Sequence, residues 1–284
     1  MFAKLGVFLT MVKFEHTVFA LPFAYVAALL ADGKVPNAWN LFWITLAMVG
    51  GRTTAMGLNR IIDRFIDAQN PRTWNRALPQ GLIKVWEAWF FTLIVAAVFE
   101  LAAYMLSTLA FIISPAILLI FVFYSYTKRF TWLSHFVLGL AIGLAPLSAW
   151  IALTNEVTIG AVLLSVAVAL WVAGFDIIYA CDDVEFDRAI GLHSIPAYFG
   201  IETALTISAV IHLAASICFT ITGMVLNLGL IYWIGLVVAA YMLYKQHQII
   251  SPINLSKINV AFFYLNGTLS MVMFIATALE IGTR

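Results

Sequence analysis

Two aspartate pairs with the same four-residue spacing, Asp63 with Asp67 and Asp183 with Asp187, are the residues of this chain best suited to chemistry. Residues four apart share one face of a helix, so each pair can offer two carboxylates together to a hard cation. Four carboxylates in one pocket repel one another, and a diphosphate brought to them adds charge of the same sign. Cations make such an arrangement stable. Magnesium suits it because it takes one or two carboxylates per ion, keeps several waters and completes its octahedron with phosphate oxygens. The two pairs therefore predict two halves of one Mg2+-diphosphate clamp.

The neighbouring polar residues follow the same spacing. Arg52, Asn59, Asp63 and Asp67 are seven, four and four residues apart, which predicts one stripe of a continuous helix. A lone D-x-x-x-D most simply marks a solvated helix end, but Arg52 lies on the apolar side of these carboxylates. An arginine near a bilayer centre costs on the order of 2.5 to 3.5 kcal/mol unless it faces a polar cavity. Pro71 ends the pattern, and Arg72 and Arg76 follow in a loop able to fold back over the acids. In the second segment, Asp176, Asp183 and Asp187 are seven and four apart, Tyr179 falls between them, and Gly191 and Pro196 end the helix. Asp176 sits among Trp171, Phe175, Ile177 and Ile178, so its carboxylate requires a buried partner or a chemical role. Asp182 and Glu185 face elsewhere and are read as solvated charge. Arg72, Lys128 and Arg188 are the nearest candidates to accompany a departing diphosphate. For Lys128 and Arg129, membrane-interface anchoring is an equally good reading.

The elements that must position these residues are written in the composition. Of 284 residues, 63% are hydrophobic and 10% charged, and the mean hydropathy is +1.00. Those values exclude an ordinary soluble domain and predict an all-α, polytopic membrane protein in contact with lipid. Nine apolar runs are read as spans: Thr17 to Leu30, Leu41 to Leu58, Val85 to Leu106, Leu109 to Tyr126, His135 to Leu153, Ile159 to Ala180, Ala204 to Met224, Leu230 to Tyr244 and Ile258 to Ile281. Most Lys and Arg residues then fall on one side, which the positive-inside rule makes cytoplasmic, together with the N-terminus and both aspartate motifs. Cys181 and Cys218 provide no zinc spacing or disulfide framework. Gly139 and Gly143 predict a close helix contact, His212 an interhelical hydrogen bond, and Glu100 a hydrogen-bonded carboxyl. Glu15 and His16, at the start of the first run, are left outside the site.

The run NRIIDRFID followed by PRTWNRALP, and DIIYACDDVEFD followed by GLHSIP, resemble the UbiA superfamily of intramembrane prenyltransferases, in its 4-hydroxybenzoate polyprenyltransferase-like branch. That branch includes members serving menaquinone synthesis by the futalosine route. The resemblance covers most of the chain and implies one transmembrane prenyltransferase domain over residues 1–284, in a bacterial or archaeal cytoplasmic membrane. It implies that Asn59, Asp63, Asp67, Asp183 and Asp187 hold Mg2+, and that Arg52, Asn59, Arg72, Lys128, Tyr179 and Arg188 bind substrate. Asp63, Asp176 and Asp183 become the catalytic candidates. The implied substrates are a polyprenyl diphosphate and an aromatic acceptor, 4-hydroxybenzoate or a related hydroxynaphthoate, in ubiquinone or menaquinone synthesis; no nucleic acid or obligate protein partner is expected. Arg60 stands where many members have Asp, and Asp182 where ubiquinone-pathway members have Gln, which leaves the acceptor open. Rival readings are a transporter, which predicts acids near the membrane midplane, and a related enzyme with another acceptor such as haem.

Overall fold

The computed structural model describes residues 2–13 and 17–284; Glu15 and His16 lie outside them. Helices dominate, and one isolated bridge, Ser251 with Asn254, is the only β-type pairing among the described residues. In chain order the helices are α1 (Phe2–Met11), α2 (Thr17–Asp32), α3 (Ala38–Ile62), α4 (Arg64–Gln69), α5 (Val85–Leu106), α6 (Thr108–Thr127), α7 (Ser134–Thr154), α8 (Ile159–Ala180), α9 (Val184–Ala189), α10 (Ile195–Phe199), α11 (Ile201–Val225), α12 (Leu230–Ile249) and α13 (Asn266–Gly282). A π-helical turn, Val260–Leu265, leads into α13.

A long helix occupies each of the nine apolar runs. Among the described residues, seven segments are long and apolar enough to cross a bilayer: 38–62, 85–106, 108–127, 134–154, 159–189, 201–225 and 260–282. The α2 helix, with 16 residues, and α12, with 20, fall outside that set. Large apolar side chains such as Leu119, Val237 and Leu230 are left on the outside of the bundle, as expected where lipid is the solvent.

Small residues set the helix contacts, because in lipid close packing replaces the hydrophobic effect as the driving force. A Cβ built on Gly139 would lie 2.3 Å from the Ala169 carbonyl oxygen, and one on Gly143 would lie 2.7 Å from that of Ser165. The α7 and α8 backbones therefore touch along this stripe, and the Ser165 hydroxyl donates to the Gly143 carbonyl at 2.5 Å. On the other side of α8, Gly174 leaves room for His212 of α11, whose ring pairs with Trp171 O and His247. The ends are capped by side chains: Asn37, Ser107, Thr158 and Ser194 each accept a backbone N–H of the helix they begin.

Both motif helices depart from the continuous helices that their spacing predicts. α3 stops at Ile62, Asp63 takes φ −89° and ψ 3°, and α4 restarts at Arg64. α8 tightens into a 3₁₀ turn, Cys181–Asp183, Asp183 takes φ −106° and ψ 6°, and α9 follows. The leading aspartate of each pair thus occupies the sparsely populated bridge region. At the first break the freed carbonyls of α3 are taken by arginines, Ile61 O by Arg64 at 2.7 Å and Ile62 O by Arg129 at 2.9 Å.

Candidate active site

The break at Asp63 turns its carboxylate toward the end of α6. Lys128 Nζ lies 2.9 Å from Oδ2 and Arg129 Nη2 lies 3.1 Å from Oδ1. Asn59, one turn earlier, donates to Oδ2 at 2.9 Å. Asp67, on α4, receives Arg76 Nη1 at 2.6 Å and the Thr73 hydroxyl at 3.3 Å. Arg60 is buried 4.0 Å from Asp67 Oδ2. That oxygen has no hydrogen-bond partner although it is sealed from solvent. A buried carboxylate oxygen is costly to leave without a hydrogen bond, so Asp67 Oδ2 is suited to an incoming cation.

The loop after Pro71 folds back from the first motif onto the second. Arg72 Nε donates to Asp183 Oδ1 at 2.9 Å, its Nη2 pairs with Asp183 Oδ2, and its Nη1 donates to the Tyr179 hydroxyl at 2.6 Å. Asn70 Nδ2 adds a bond to Asp183 Oδ1 at 3.2 Å. Burial alone would lower the Arg72 pKa, but the hydrogen bond and charge of Asp183 outweigh it and raise it above the ordinary arginine value. Asn70, Pro71, Arg72, Asp183 and Phe186 line a cleft of about 480 Å³ together with exposed Asp182 and Glu185.

Asp187 accepts the Ser194 hydroxyl at 2.9 Å, and the same hydroxyl caps α10. Asp176, one turn before Tyr179, accepts from His135 Nδ1 at 2.7 Å. The tautomer follows from the other ring nitrogen. Ile195 N–H donates to His135 Nε2 at 3.3 Å, so Nε2 is the acceptor and Nδ1 carries the proton. His135 therefore fixes the Asp176 carboxylate.

Sequence-predicted residues thus divide by placement. Asn59, Asp63, Lys128 and Asp67 form one cluster with Arg76 and Arg129; Arg72, Tyr179 and Asp183 form another. Arg52 donates to the carbonyls of Val12 and Lys13 at 3.3 and 3.1 Å. Arg188 turns to α10, donating to Ala197 O at 2.8 Å. Among the described residues, no three His, Cys, Asp or Glu side chains gather into a metal cage. His135, Asn70 and Ser194 went unnoticed in the sequence. Ser194 carries a legible signal, a Ser-x-Pro helix start seven residues after Asp187, whereas His135 lies 41 residues from its partner.

The chain matches the UbiA prenyltransferase family over residues 20–273. It is 33% identical over 226 residues to a 4-hydroxybenzoate octaprenyltransferase of Pseudoalteromonas translucida, covering 80% of this chain and 77% of that protein. Among solved structures, an apo UbiA homologue from Aeropyrum pernix K1 superposes with a TM-score of 0.83 at 33% identity, over 95% of this chain and 98% of that one. A UbiA homologue from Archaeoglobus fulgidus, bound to GPP and Mg2+, shares the fold with a TM-score of 0.72 at 21% identity, over 98% of this chain and 100% of that one.

Proposed function

The chain belongs to the UbiA prenyltransferase family, and from that premise we propose that it transfers a polyprenyl group from its diphosphate to an aromatic ring, with Mg2+, on the cytoplasmic side of a cell membrane. The acceptor is 4-hydroxybenzoate or a related hydroxynaphthoate, and the product feeds quinone synthesis. The relative from Pseudoalteromonas translucida, named for 4-hydroxybenzoate, supports the first acceptor, and the Archaeoglobus fulgidus homologue bound to GPP and Mg2+ supports the donor and the ion. One observation carries the reading: Arg72, from the loop of the first motif, is held on Asp183 and Tyr179 of the second, so the two acidic motifs act on one ligand.

Asn59, Asp63, Asp67, Asp183 and Asp187 would hold Mg2+, with Asp67 Oδ2 the least satisfied oxygen among them. When bound, the ion neutralises the diphosphate and makes it a better leaving group. Lys128, Arg129, Arg76 and Arg72 stand beside the carboxylates and supply donors to the phosphate oxygens as negative charge grows on them. The bond between the allylic carbon and the diphosphate oxygen breaks with its electron pair leaving on oxygen. A ring carbon of the acceptor then supplies the pair for the new carbon–carbon bond, and the ring loses a proton. Asp176, pinned by His135 and one-fifth exposed, orients the phenol and takes a proton from the acceptor. Arg52 pairs with the anionic group of the acceptor or with the diphosphate.

The test is Mg2+-dependent diphosphate release by the purified protein in detergent, with a polyprenyl diphosphate and either 4-hydroxybenzoate or a dihydroxynaphthoate. Prenylated product with one acceptor, absent in Asp63→Ala, is the expected result. Folded protein that binds prenyl diphosphate yet prenylates neither compound would overturn the acceptor assignment.

A further inference from the structure

The π-helical turn Val260–Leu265 lies outside both acidic motifs, and its side chains reach into the second. A π turn inserts an extra residue into the helical register and is mostly a single turn, frequently at a functional site. Here Asn266 closes it. Its backbone N–H goes to Phe263 O, and its side-chain amide donates to Ala261 O and to Phe262 O, each at 3.1 Å. Its carbonyl oxygen accepts Trp171 Nε1 of α8 and Gln246 Nε2 of α12, each at 2.8 Å. Asn266 is buried and uses both amide donors and both acceptor sites. One side chain thus ties α8, α12 and α13 together at the turn.

The turn places Phe262 against the second motif. Its ring centroid lies 4.4 Å from that of Tyr179 at 32°, and 5.3 Å from that of Phe175 at 86°. The other face of this arrangement is polar. Tyr179 accepts Arg72 at its hydroxyl, and the Arg72 guanidinium lies 4.9 Å from the Tyr179 ring centroid. Arg72 in turn holds Asp183. A continuous path runs from Asn266 through the turn to Phe262, Tyr179, Arg72 and Asp183.

We infer that Asn266 and Phe262 are positioning residues for the diphosphate end of the donor: the pinned π turn presses Phe262 on Tyr179, and Tyr179 sets where Arg72 stands. The inference rests on the donor being a prenyl diphosphate. It predicts separate effects on the two substrates, because the path ends at Arg72 and Asp183, whereas the Asp176 carboxylate is held by His135 from another helix.

Phe262→Leu and Phe262→Tyr are compared with the full-length wild type in detergent, with thermal melting as the check on folding and Asn266→Ala as a second lesion of the path. Hydrogen exchange of the 70–76 loop is read without ligand, and KM is measured for each substrate. Phe262→Leu is expected to speed loop exchange and to raise the prenyl diphosphate KM roughly three- to tenfold, the range for losing an aromatic pair. The acceptor KM stays within about twofold, and Phe262→Tyr restores both readouts. A folded Phe262→Leu protein with wild-type loop exchange, or with both KM values raised equally, would overturn the inference. Wild-type protein that binds no prenyl diphosphate would instead overturn the functional reading, and the exchange measurement would still decide whether the turn positions Arg72.

Discussion

The two acidic motifs share a spacing and a helix break but differ in how their carboxylates are compensated. In the first, Asp63 and Asp67 side chains are 2% and 6% exposed, and between them they meet Lys128, Arg129, Arg76 and Arg60. In the second, Asp183 is 16% exposed with one arginine, and Asp176 is 21% exposed with a histidine. Asp187 is bonded to a hydroxyl. Buried carboxylates paired with several cations are held in one geometry, whereas more open ones with fewer cationic partners can exchange contacts as a substrate arrives. Under the proposed function this difference assigns a division of labour, with the first motif as the rigid half of the clamp and the second as the half that orients the acceptor and takes its proton.

Substitutions test that division. The largest effect is expected from Asp63→Ala, which leaves Lys128 and Arg129 without their counter-charge. Its kcat/KM should fall about 10²- to 10³-fold, the scale on which one preorganised electrostatic group is lost. A fall of less than tenfold would mean that the first motif is not the rigid half. Next is His135→Ala, which frees Asp176. It should lower kcat about 10- to 100-fold, as for lost orienting partners, with the prenyl diphosphate KM unchanged. If KM for the donor rises instead, His135 serves the diphosphate and the division fails. Arg72→Lys keeps the charge but loses the fork that reaches Asp183 and Tyr179 together, so steady-state kinetics should show the donor KM raised about tenfold. Ser194→Ala removes one bond to Asp187 and should cost roughly two- to fivefold in kcat/KM, the smallest effect of the series.

Much of this was legible before the fold. Apolar runs bounded by Pro, Gly and charge located every long helix, and the repeated aspartate spacing located both motifs. The break at Asp63 was not legible, because no Gly or Pro interrupts residues 59 to 67. Its cause is tertiary: Lys128 and Arg129, from the end of α6, draw the carboxylate out of the helical stripe and cap α3. For the same reason the sequence reads Arg129 as an interface anchor as readily as a cation for the diphosphate, and does not pair it with Asp63. Arg188, adjacent to Asp187 in sequence, points to α10 instead because the turn at Gly191, with φ 72°, brings the Pro196 and Ala197 carbonyls under it. The π turn also left little trace. Its only mark is Asn266, an amide inside an apolar run, which signals a local need for donors without saying where they go.

Whether the two motifs act on one diphosphate is tested most directly by calorimetric titration. Geranyl diphosphate with Mg2+ would be titrated into the wild type, Asp63→Ala and Asp183→Ala, each shown to be folded. A single site is predicted for the wild type, with Mg2+-dependent binding lost in both variants, although the aspartates lie 120 residues apart. Wild-type affinity retained in either variant would contradict a shared site.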